Sequence, residues 1–155
     1  MCVIIDTNRL PDYVKGNDEA LKLLRNRIEK NKIKLIAPQG VFLAEYNKFD
    51  KFKPLISQYL KNDWFKKVST ERFSAAEADL KNKKEQGEIS IRSNEKDLPI
   101  LALARASDTE LLVSDDRNLG EDFKNPKIIR RGRIIRTTTS HKDVKDLLDS
   151  NNCPS

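Results

Sequence analysis

Short, dense runs of valine, isoleucine and leucine constrain the fold of this chain more than any other feature. The runs in CVIID, KLIAP and ELLVSDD are too short for helices, and longer amphipathic stretches separate them. Strands that alternate with helices predict a mostly parallel sheet that helices cover on both faces. We therefore expect an α/β protein, a three-layer α/β/α sandwich with a mostly parallel central sheet.

The stretches between these runs have the apolar spacing of helices. Helices are expected in NDEALKLLRNRIEKN, QGVFLAEYNKF, PLISQYLKN, SAAEADLKNKKEQG, DLPILALARAS and HKDVKDLLDS, and further strands in DWFKKVS and IIRRGRIIRTTT. In SAAEADLKNKKEQG, Ser74 and Glu77 have the spacing of a capping box, and Gly87 is placed to end the helix. We expect a single domain over residues 1–150 and a frayed tail over residues 151–155.

The composition argues against several classes of protein. Apolar residues make up 37% of the chain and charged residues 35%, which is polar but outside the range of disordered chains. No apolar run approaches the roughly 20 residues of a membrane span, and the first run lacks the basic lead of a signal peptide. We expect a cytoplasmic protein without a membrane partner, in which Cys2 and Cys153 are free thiols.

Charge and metal-ligand content narrow the chemistry further. The net charge of +6 favours a polyanionic partner such as nucleic acid, although lysine-rich helices are often only solvated faces. His141 is the only histidine, and the cysteine and histidine clusters of zinc sites are absent from the sequence. A catalytic metal is therefore expected to be held by carboxylates.

Acidic residues follow two of the expected strands. Asp6 ends the first strand, and Asp115 and Asp116 end the strand in ELLVSDD. Ligands of parallel sheets bind beyond the carboxyl ends of the strands, so these acids should meet at one edge. Glu45 and Asp97 lie on helices that pass the same edge. Such clustered carboxylates repel one another unless a cation sits among them, and oxygen ligands suit Mg²⁺ or Mn²⁺.

Each acid has a simpler interpretation when it is considered alone. Asp6 can form a turn through its side chain, and Glu45 can be an ordinary solvent-facing helix residue. Asp97 stands where an N-cap belongs, ahead of its helix. Asp115 and Asp116 can belong to a polar turn. The combination of the acids, rather than any one of them, favours a metal site.

Four segments together resemble the PIN-domain nucleases, including the VapC-type toxins of that family. They are IIDTN, APQGVFLAEY, DLPILALA and LLVSDD followed by RNLGEDF, in the order and roughly the spacing of the family, from the first strand to about Phe123. The resemblance implies a small α/β/α sandwich whose acids bind Mg²⁺ or Mn²⁺ for endonucleolytic cleavage, usually of RNA.

The resemblance also assigns residues. It implies four metal ligands that are also the catalytic residues: Asp6, Glu45, Asp97 and Asp116. The fourth position lies two residues after a serine or threonine that closes the strand, and Ser114 therefore points to Asp116 rather than Asp115.

Several neighbours of the acids are candidates for supporting roles. Thr7 and Asn8 match a small polar pair that the family often has after its first acid, where they orient that acid or a bound water; a plain turn is the equal alternative. Asn118 and Asp122 follow the fourth acid in what we expect to be a loop. For these two residues a solvated loop is the favoured interpretation.

The resemblance implies a metal-dependent endoribonuclease in which metal-activated water attacks an RNA phosphodiester bond. It suggests the toxin of a toxin–antitoxin pair, with a cognate antitoxin protein and a homodimer among its partners. The alternative from a different class is a non-catalytic PIN-like domain that binds nucleic acid or protein. A phosphotransferase or phosphatase with Asp6 as nucleophile ranks third, because a second acid does not closely follow Asp6.

Two basic segments could contribute to nucleic-acid binding. NKKEQGEISIRSNEKD precedes Asp97, and IIRRGRII lies near the end of the chain. Lysine and arginine contacts to phosphates would give affinity without sequence choice. The equal alternative is a charged helix end together with an edge strand that arginines guard.

Overall fold

The computed structural model describes residues 2–150, which form five strands and eight α-helices joined by short 3-10 turns. The strands are β1 (Cys2–Ile5), β2 (Lys34–Ile36), β3 (Phe65–Lys66), β4 (Leu111–Val113) and β5 (Arg133–Ile135). The helices are α1 (Leu10–Lys15), α2 (Glu19–Glu29), α3 (Gly40–Asn47), α4 (Lys53–Lys61), α5 (Thr70–Glu85), α6 (Leu98–Ser107), α7 (Arg117–Lys124) and α8 (His141–Ser150).

The five strands form one sheet in the order β3-β2-β1-β4-β5, and each neighbouring pair is parallel. β1 lies in the centre, between β2 and β4. The chain leaves β1 toward one side of the sheet and later returns to build the other side. In parallel sheets the crevice at such a reversal, beyond the carboxyl ends of the strands, is the usual ligand position.

Helices form the outer layers of the three-layer α/β/α sandwich. α2 packs against α1 and α8, whereas α6 packs against α3 and α5. The residues of β1 and β4 are buried, as expected for strands that helices cover on both faces. The predicted α/β/α sandwich with a mostly parallel central sheet is therefore confirmed, and the sheet places the ends of β1 and β4 side by side.

The predicted elements are present, with differences at their ends. The capping box at Ser74 and Glu77 is wrong, because α5 begins a turn earlier and Ser69 is its N-cap, accepting a hydrogen bond from the backbone amide of Arg72. Gly87 does follow the end of α5, in the left-handed conformation with φ of 73°. The basic segment IIRRGRIIRTTT, in which one or two strands were expected, contributes one strand, β5.

Two helices were not expected from the sequence. α1 follows the first strand after a short 3-10 turn at Thr7–Arg9, and α7 occupies the segment that we expected to be a loop. α7 begins with an N-cap and packs closely on β5. A Cβ atom at Gly132 would lie 1.8 Å from the carbonyl oxygen of Phe123, so only glycine allows this approach of the β5 entrance to the end of α7.

Further expectations concern the chain termini and membranes. Cys2 is disulfide-bonded, so the expectation of a free thiol is wrong for this residue, and Cys153 lies outside the described residues. The expected tail at residues 151–155 also lies outside them. Within residues 2–150 no helix is both long and apolar enough to cross a membrane.

Candidate metal centre at the carboxyl edge of the sheet

Asp6 lies immediately beyond β1 and is buried, with 6% of its surface exposed. Its backbone amide donates to the carbonyl oxygen of Val113 at 2.9 Å, which continues the pairing of β1 with β4 past the last strand residue. Burial raises the pKa of the Asp6 carboxyl above its usual value, and the charge of Asp116 raises it further. Hydrogen bonds from Ser114 and Thr7 only partly offset these two effects.

Ser114 connects the acids at the ends of the two central strands. Its buried hydroxyl donates to Asp6 Oδ2 at 2.7 Å and accepts from the backbone amide of Asp116 at 3.0 Å. One hydroxyl thus fixes the orientation of the Asp6 carboxylate and the backbone position of Asp116. The serine that marked the fourth acid in the sequence has this structural reason to be there.

Asp116 is the N-cap of α7. Its Oδ1 accepts from the backbone amide of Leu119 at 3.0 Å, so the interpretation as a polar turn is replaced by a helix cap. The cap leaves the second carboxylate oxygen available, and its charge acts on both Asp6 and Asp97. A capping role and a ligand role are therefore compatible at this residue.

Asp97 lies at the junction of a 3-10 turn and α6 and remains partly exposed. The simpler interpretation of Asp97 as a side-chain cap is wrong, because its carboxylate makes no cap hydrogen bond to α6. Burial, together with repulsion from Asp6 and Asp116, raises the pKa of Asp97 to about 6. The structure therefore brings three of the four proposed ligands into one electrostatically coupled group.

Glu45 stands apart from that group. It lies on α3, which the buried hydroxyl of Tyr46 anchors to β1 by donating to the carbonyl oxygen of Ile5. The Glu45 carboxylate instead accepts from Lys48 Nζ at 2.7 Å on the surface. That hydrogen bond and the charge of Lys48 lower the pKa of Glu45, and the charge of Lys96 contributes as well. Glu45 is thus engaged by lysine rather than by the other acids.

The Asp115 carboxylate is engaged by residues outside the acid group, although Asp115 is the chain neighbour of Asp116. Its carboxylate accepts from the backbone amide of Thr137 at 2.8 Å and from the hydroxyl of the same residue. Arg9 Nη1 lies 3.4 Å from Asp115 Oδ1. Burial opposes ionisation of Asp115, but these hydrogen bonds and the arginine charge prevail and lower its pKa.

The remaining candidate residues differ in whether they contact the acid group. The Thr7 hydroxyl lies 3.4 Å from Asp6 Oδ1, whereas Asn8 and Asn118 are exposed. Asp122 is buried and accepts from the amide and hydroxyl of Ser93, so the expectation of a solvated loop is wrong there. Asp122 ties α7 to the segment that leads into Asp97.

Arg9 and Thr137 were missed by the sequence interpretation. No spacing rule connects them to the acids, because Arg9 is 106 residues from Asp115 and meets it only in the fold. The one available signal was an arginine three residues after the candidate ligand Asp6, directly after Thr7 and Asn8. Arg9 and Thr137 bind the carboxylate of Asp115. Their contacts explain why this carboxylate has different partners from that of Asp116.

The two basic segments lie in different places. The lysine-rich segment lines a groove of about 820 Å³ beside Asp97, together with apolar side chains and as many glutamates as lysines: Val41, Glu77, Lys81, Lys84, Glu85, Ile91, Ser93, Glu95, Lys96, Leu98 and Pro99. The arginine-rich segment enters β5 at the opposite edge of the sheet, because Arg133 pairs with Leu111 at the start of β4. β5 is an edge strand, as the second interpretation of this segment predicts.

The donor chemistry of the acid group suits Mg²⁺ or Mn²⁺, since its ligands are carboxylate oxygens that repel one another. Within residues 2–150, however, no set of three or more acidic, histidine or cysteine side chains is grouped closely enough to hold a metal ion. Side-chain rotation of the acids, and release of Glu45 from Lys48, would be required to close a site. The residue types fit a divalent cation, and their present arrangement is open.

Comparisons with known proteins address the fold. No protein-family model matches the chain, and no curated protein matches it. Among solved structures, a chain of VapBC2 from Rickettsia felis bound to a DNA fragment from its promoter is similar, with a TM-score of 0.54 and 18% sequence identity. The match covers 88% of this chain and 98% of the other chain. At this identity the likeness establishes a shared fold, and the chain thus has the sandwich architecture of that VapBC2 chain.

Proposed function

We propose that this protein is a metal-dependent endoribonuclease and the toxin of a toxin–antitoxin pair. The observation that carries the proposal is the coupled group of Asp6, Asp97 and Asp116 at the carboxyl edge of the central strands. In the part of the chain described here, none of these three carboxylates forms an ion pair. Repelling carboxylates at a ligand-binding edge are the arrangement that a divalent cation would stabilise.

Asp6, Asp97 and Asp116 would hold Mg²⁺ or Mn²⁺, and Glu45 would join them after leaving Lys48. Such ions supply Lewis acidity toward a phosphate and lower the pKa of water that attacks it. Ser114 would keep Asp6 oriented while the cation binds, because its hydroxyl is already fixed between two partners. The half-buried Asp97, with its pKa near 6, is suited to exchange a proton with solvent near neutral pH.

RNA is proposed as the substrate on the basis of charge and access. The groove beside Asp97 carries Lys81, Lys84 and Lys96 near its rim, and these side chains can contact backbone phosphates. The groove also contains three glutamates, so its charge is balanced rather than uniformly basic. We therefore expect weak, salt-sensitive binding of RNA, with the metal site contributing much of the affinity.

The first test is cleavage of single-stranded and structured RNA by the wild type in Mg²⁺, in Mn²⁺ and in chelator. Asp6→Asn should abolish cleavage and leave the folded state intact, because the amide preserves size and the Ser114 hydrogen bond. Asp63→Asn is the matched control, since it removes a surface carboxylate that pairs with Lys34 far from the acid group. A well-folded Asp6→Asn protein that retains activity would overturn the assignment of Asp6.

The toxin proposal draws on the shared fold with a VapBC2 chain and needs its own test. Expression of the wild type in a bacterial host should arrest growth, and Asp6→Asn should not. Coexpression of a small protein encoded next to the gene should restore growth and copurify as a complex. Growth arrest by both proteins alike would contradict a toxin that acts through cleavage.

A non-catalytic PIN-like binding domain is the second candidate, and one observation favours it. Glu45 is held by Lys48 on the surface, and the acids do not converge on a single point. Absence of any cleavage, together with no heat of Mn²⁺ binding in calorimetry, would favour this candidate. Binding of Mn²⁺ without cleavage of RNA would instead point to a different substrate, and DNA is the next one to test.

A further inference from the structure

Arg9 is a fully charged residue in the interior, with 1% of its side chain exposed. Its guanidinium lies 2.7 Å from Asp18, 3.4 Å from Asp115 and 3.4 Å from Asp12. Asp18 is the N-cap of α2, so Arg9 connects the start of that helix to the turn after β4. A planar guanidinium offers five N–H donors in a rigid fork, whereas a lysine ammonium offers three on a flexible stem and cannot reproduce that geometry.

Asp115 is held from two directions. Arg9 approaches from the interior, and Thr137 donates its amide and hydroxyl from the segment after β5. Both contacts engage the Asp115 carboxylate with residues outside the acid group. The next residue in the chain, Asp116, is thereby left facing the acid group, with its backbone amide bound by Ser114.

We infer that Arg9 is a positioning residue that acts through Asp115 to orient the turn between β4 and α7, so that Asp116 can share a divalent cation with Asp6 and Asp97. The inference rests on the proposed function for the presence of that cation. Arg9 has two effects in this arrangement. It holds the Asp115 carboxylate outside the acid group, and it fixes the backbone from which Asp116 extends.

The test measures Mn²⁺ affinity by calorimetry in Arg9→Lys, Asp115→Asn and the double variant. Each single substitution should weaken Mn²⁺ binding about tenfold, as is typical for partners that orient metal ligands. The double variant should bind about as well as the weaker single variant, because both changes interrupt the same connection. Additive losses would overturn the inference, since they would mean that Arg9 does not act through Asp115.

A purely structural role of Arg9 has to be distinguished from positioning. Arg25→Lys is the control, because Arg25 is a partly buried arginine that pairs with a carboxylate, Glu29, and contacts the ring of Tyr13 rather than the acid group. Both lysine variants should lose thermal stability, and only Arg9→Lys should lose Mn²⁺ affinity. An unchanged Mn²⁺ dissociation constant in a folded Arg9→Lys protein would overturn the inference.

Thr137→Val provides the test if Arg9→Lys does not fold. Thr137 is exposed, and valine removes only the hydroxyl that donates to Asp115. A severalfold weaker binding of Mn²⁺ supports the positioning network, and unchanged binding overturns it. If the wild type binds Mn²⁺ without cleaving RNA, the nuclease proposal fails while these affinities still decide the role of Arg9. If the wild type binds no Mn²⁺, both proposals fail.

Discussion

Two groups of carboxylates lie next to each other at the carboxyl edge of the sheet, and they differ in how their charge is balanced. Asp12, Asp18 and Asp115 surround the buried guanidinium of Arg9. Asp6, Asp97 and Asp116 surround no cation among the described residues, and burial and repulsion raise the pKa values of Asp6 and Asp97. The first group is complete without a ligand, and the second is the one that a metal would complete.

The boundary between the two groups runs between adjacent residues of one turn. Asp115 belongs to the balanced group and Asp116 to the open one, although nothing in the dipeptide itself distinguishes them. The contacts of Arg9 and Thr137 on one side and of Ser114 on the other make the distinction. Two identical side chains thus have different charge environments because different elements pack around them.

Asp116→Asn should have the largest effect on the open group. We expect Mn²⁺ affinity to fall by more than the roughly 100-fold upper value for an outer-shell partner, because a direct ligand is lost. The fold should persist, since asparagine caps a helix as well as aspartate does. Calorimetry measures the Mn²⁺ affinity of Asp116→Asn and of Asp115→Asn. A larger loss of affinity in Asp115→Asn would show that Asp115 is the ligand.

Arg9→Met should have the largest effect on the balanced group. Methionine fills much of the volume but leaves Asp18, Asp12 and Asp115 without their cation. We expect the free energy of unfolding in urea to fall by about 2–3 kcal/mol, below the value for a fully buried pair because the carboxylates keep some solvent contact. Arg27→Met, which breaks a single ion pair with Asp149, should cost less than about 1 kcal/mol. Equal losses in the two variants would contradict a special role of Arg9 in stability.

Asp97→Asn should stabilise the protein without metal, and the gain should depend on pH. In the unfolded chain Asp97 loses its proton near 3.8, and in the folded protein near 6. The wild type therefore loses stability as the pH rises from about 4 to 6, and asparagine does not. Above pH 6 in chelator we expect the variant to be more stable by about 1 kcal/mol, after allowance for solvent screening. The difference should vanish below pH 4 in thermal unfolding, and a difference that persists there would contradict a charge-based cause.

Lys48→Met should have the smallest effect. Removal of the lysine frees Glu45 from its surface hydrogen bond, so Mn²⁺ should bind about twofold more tightly if Glu45 is the fourth ligand. Lys53→Met breaks a similarly spaced pair with Asp50 and serves as the control in calorimetry. Equal affinities in the two variants would indicate that Glu45 takes no part in the site.

Much of the fold follows from local sequence patterns. The runs of β1, β2 and β4 and the apolar faces of α2 and α6 predicted a parallel sheet between helices, and the sheet is parallel throughout. Helix boundaries were less predictable where two residues could serve as the N-cap. Ser69 is the N-cap of α5, although Ser74 has the spacing of a capping box. α7 was missed because RNLGEDFK has few apolar residues, and its stability depends on packing against β5.

The candidate site was predictable as a set of residue types at strand ends, and less so as an arrangement. Asp6 and Asp116 lie at the same edge because adjacent parallel strands end there, and the charges of both act on Asp97. Glu45 and Lys48 have the i,i+3 spacing of a helix ion pair, but this spacing does not tell whether Glu45 pairs with the lysine or turns toward the other acids. The buried contacts of Asp122 with Ser93 likewise join residues 29 apart in the chain.

The sequence by itself determined which side chains reach the carboxyl edge of the sheet, because strand periodicity and chain order set the positions of Asp6, Ser114 and Asp116. Only the tertiary structure decided which carboxylates are neutralised. Arg9, Asp115 and Thr137 come from three distant segments, and the charge balance at the edge depends on distances of a few ångströms among them. In a buried environment, the interaction energy of two charges changes steeply when their separation changes by a few ångströms. Local sequence does not determine such distances.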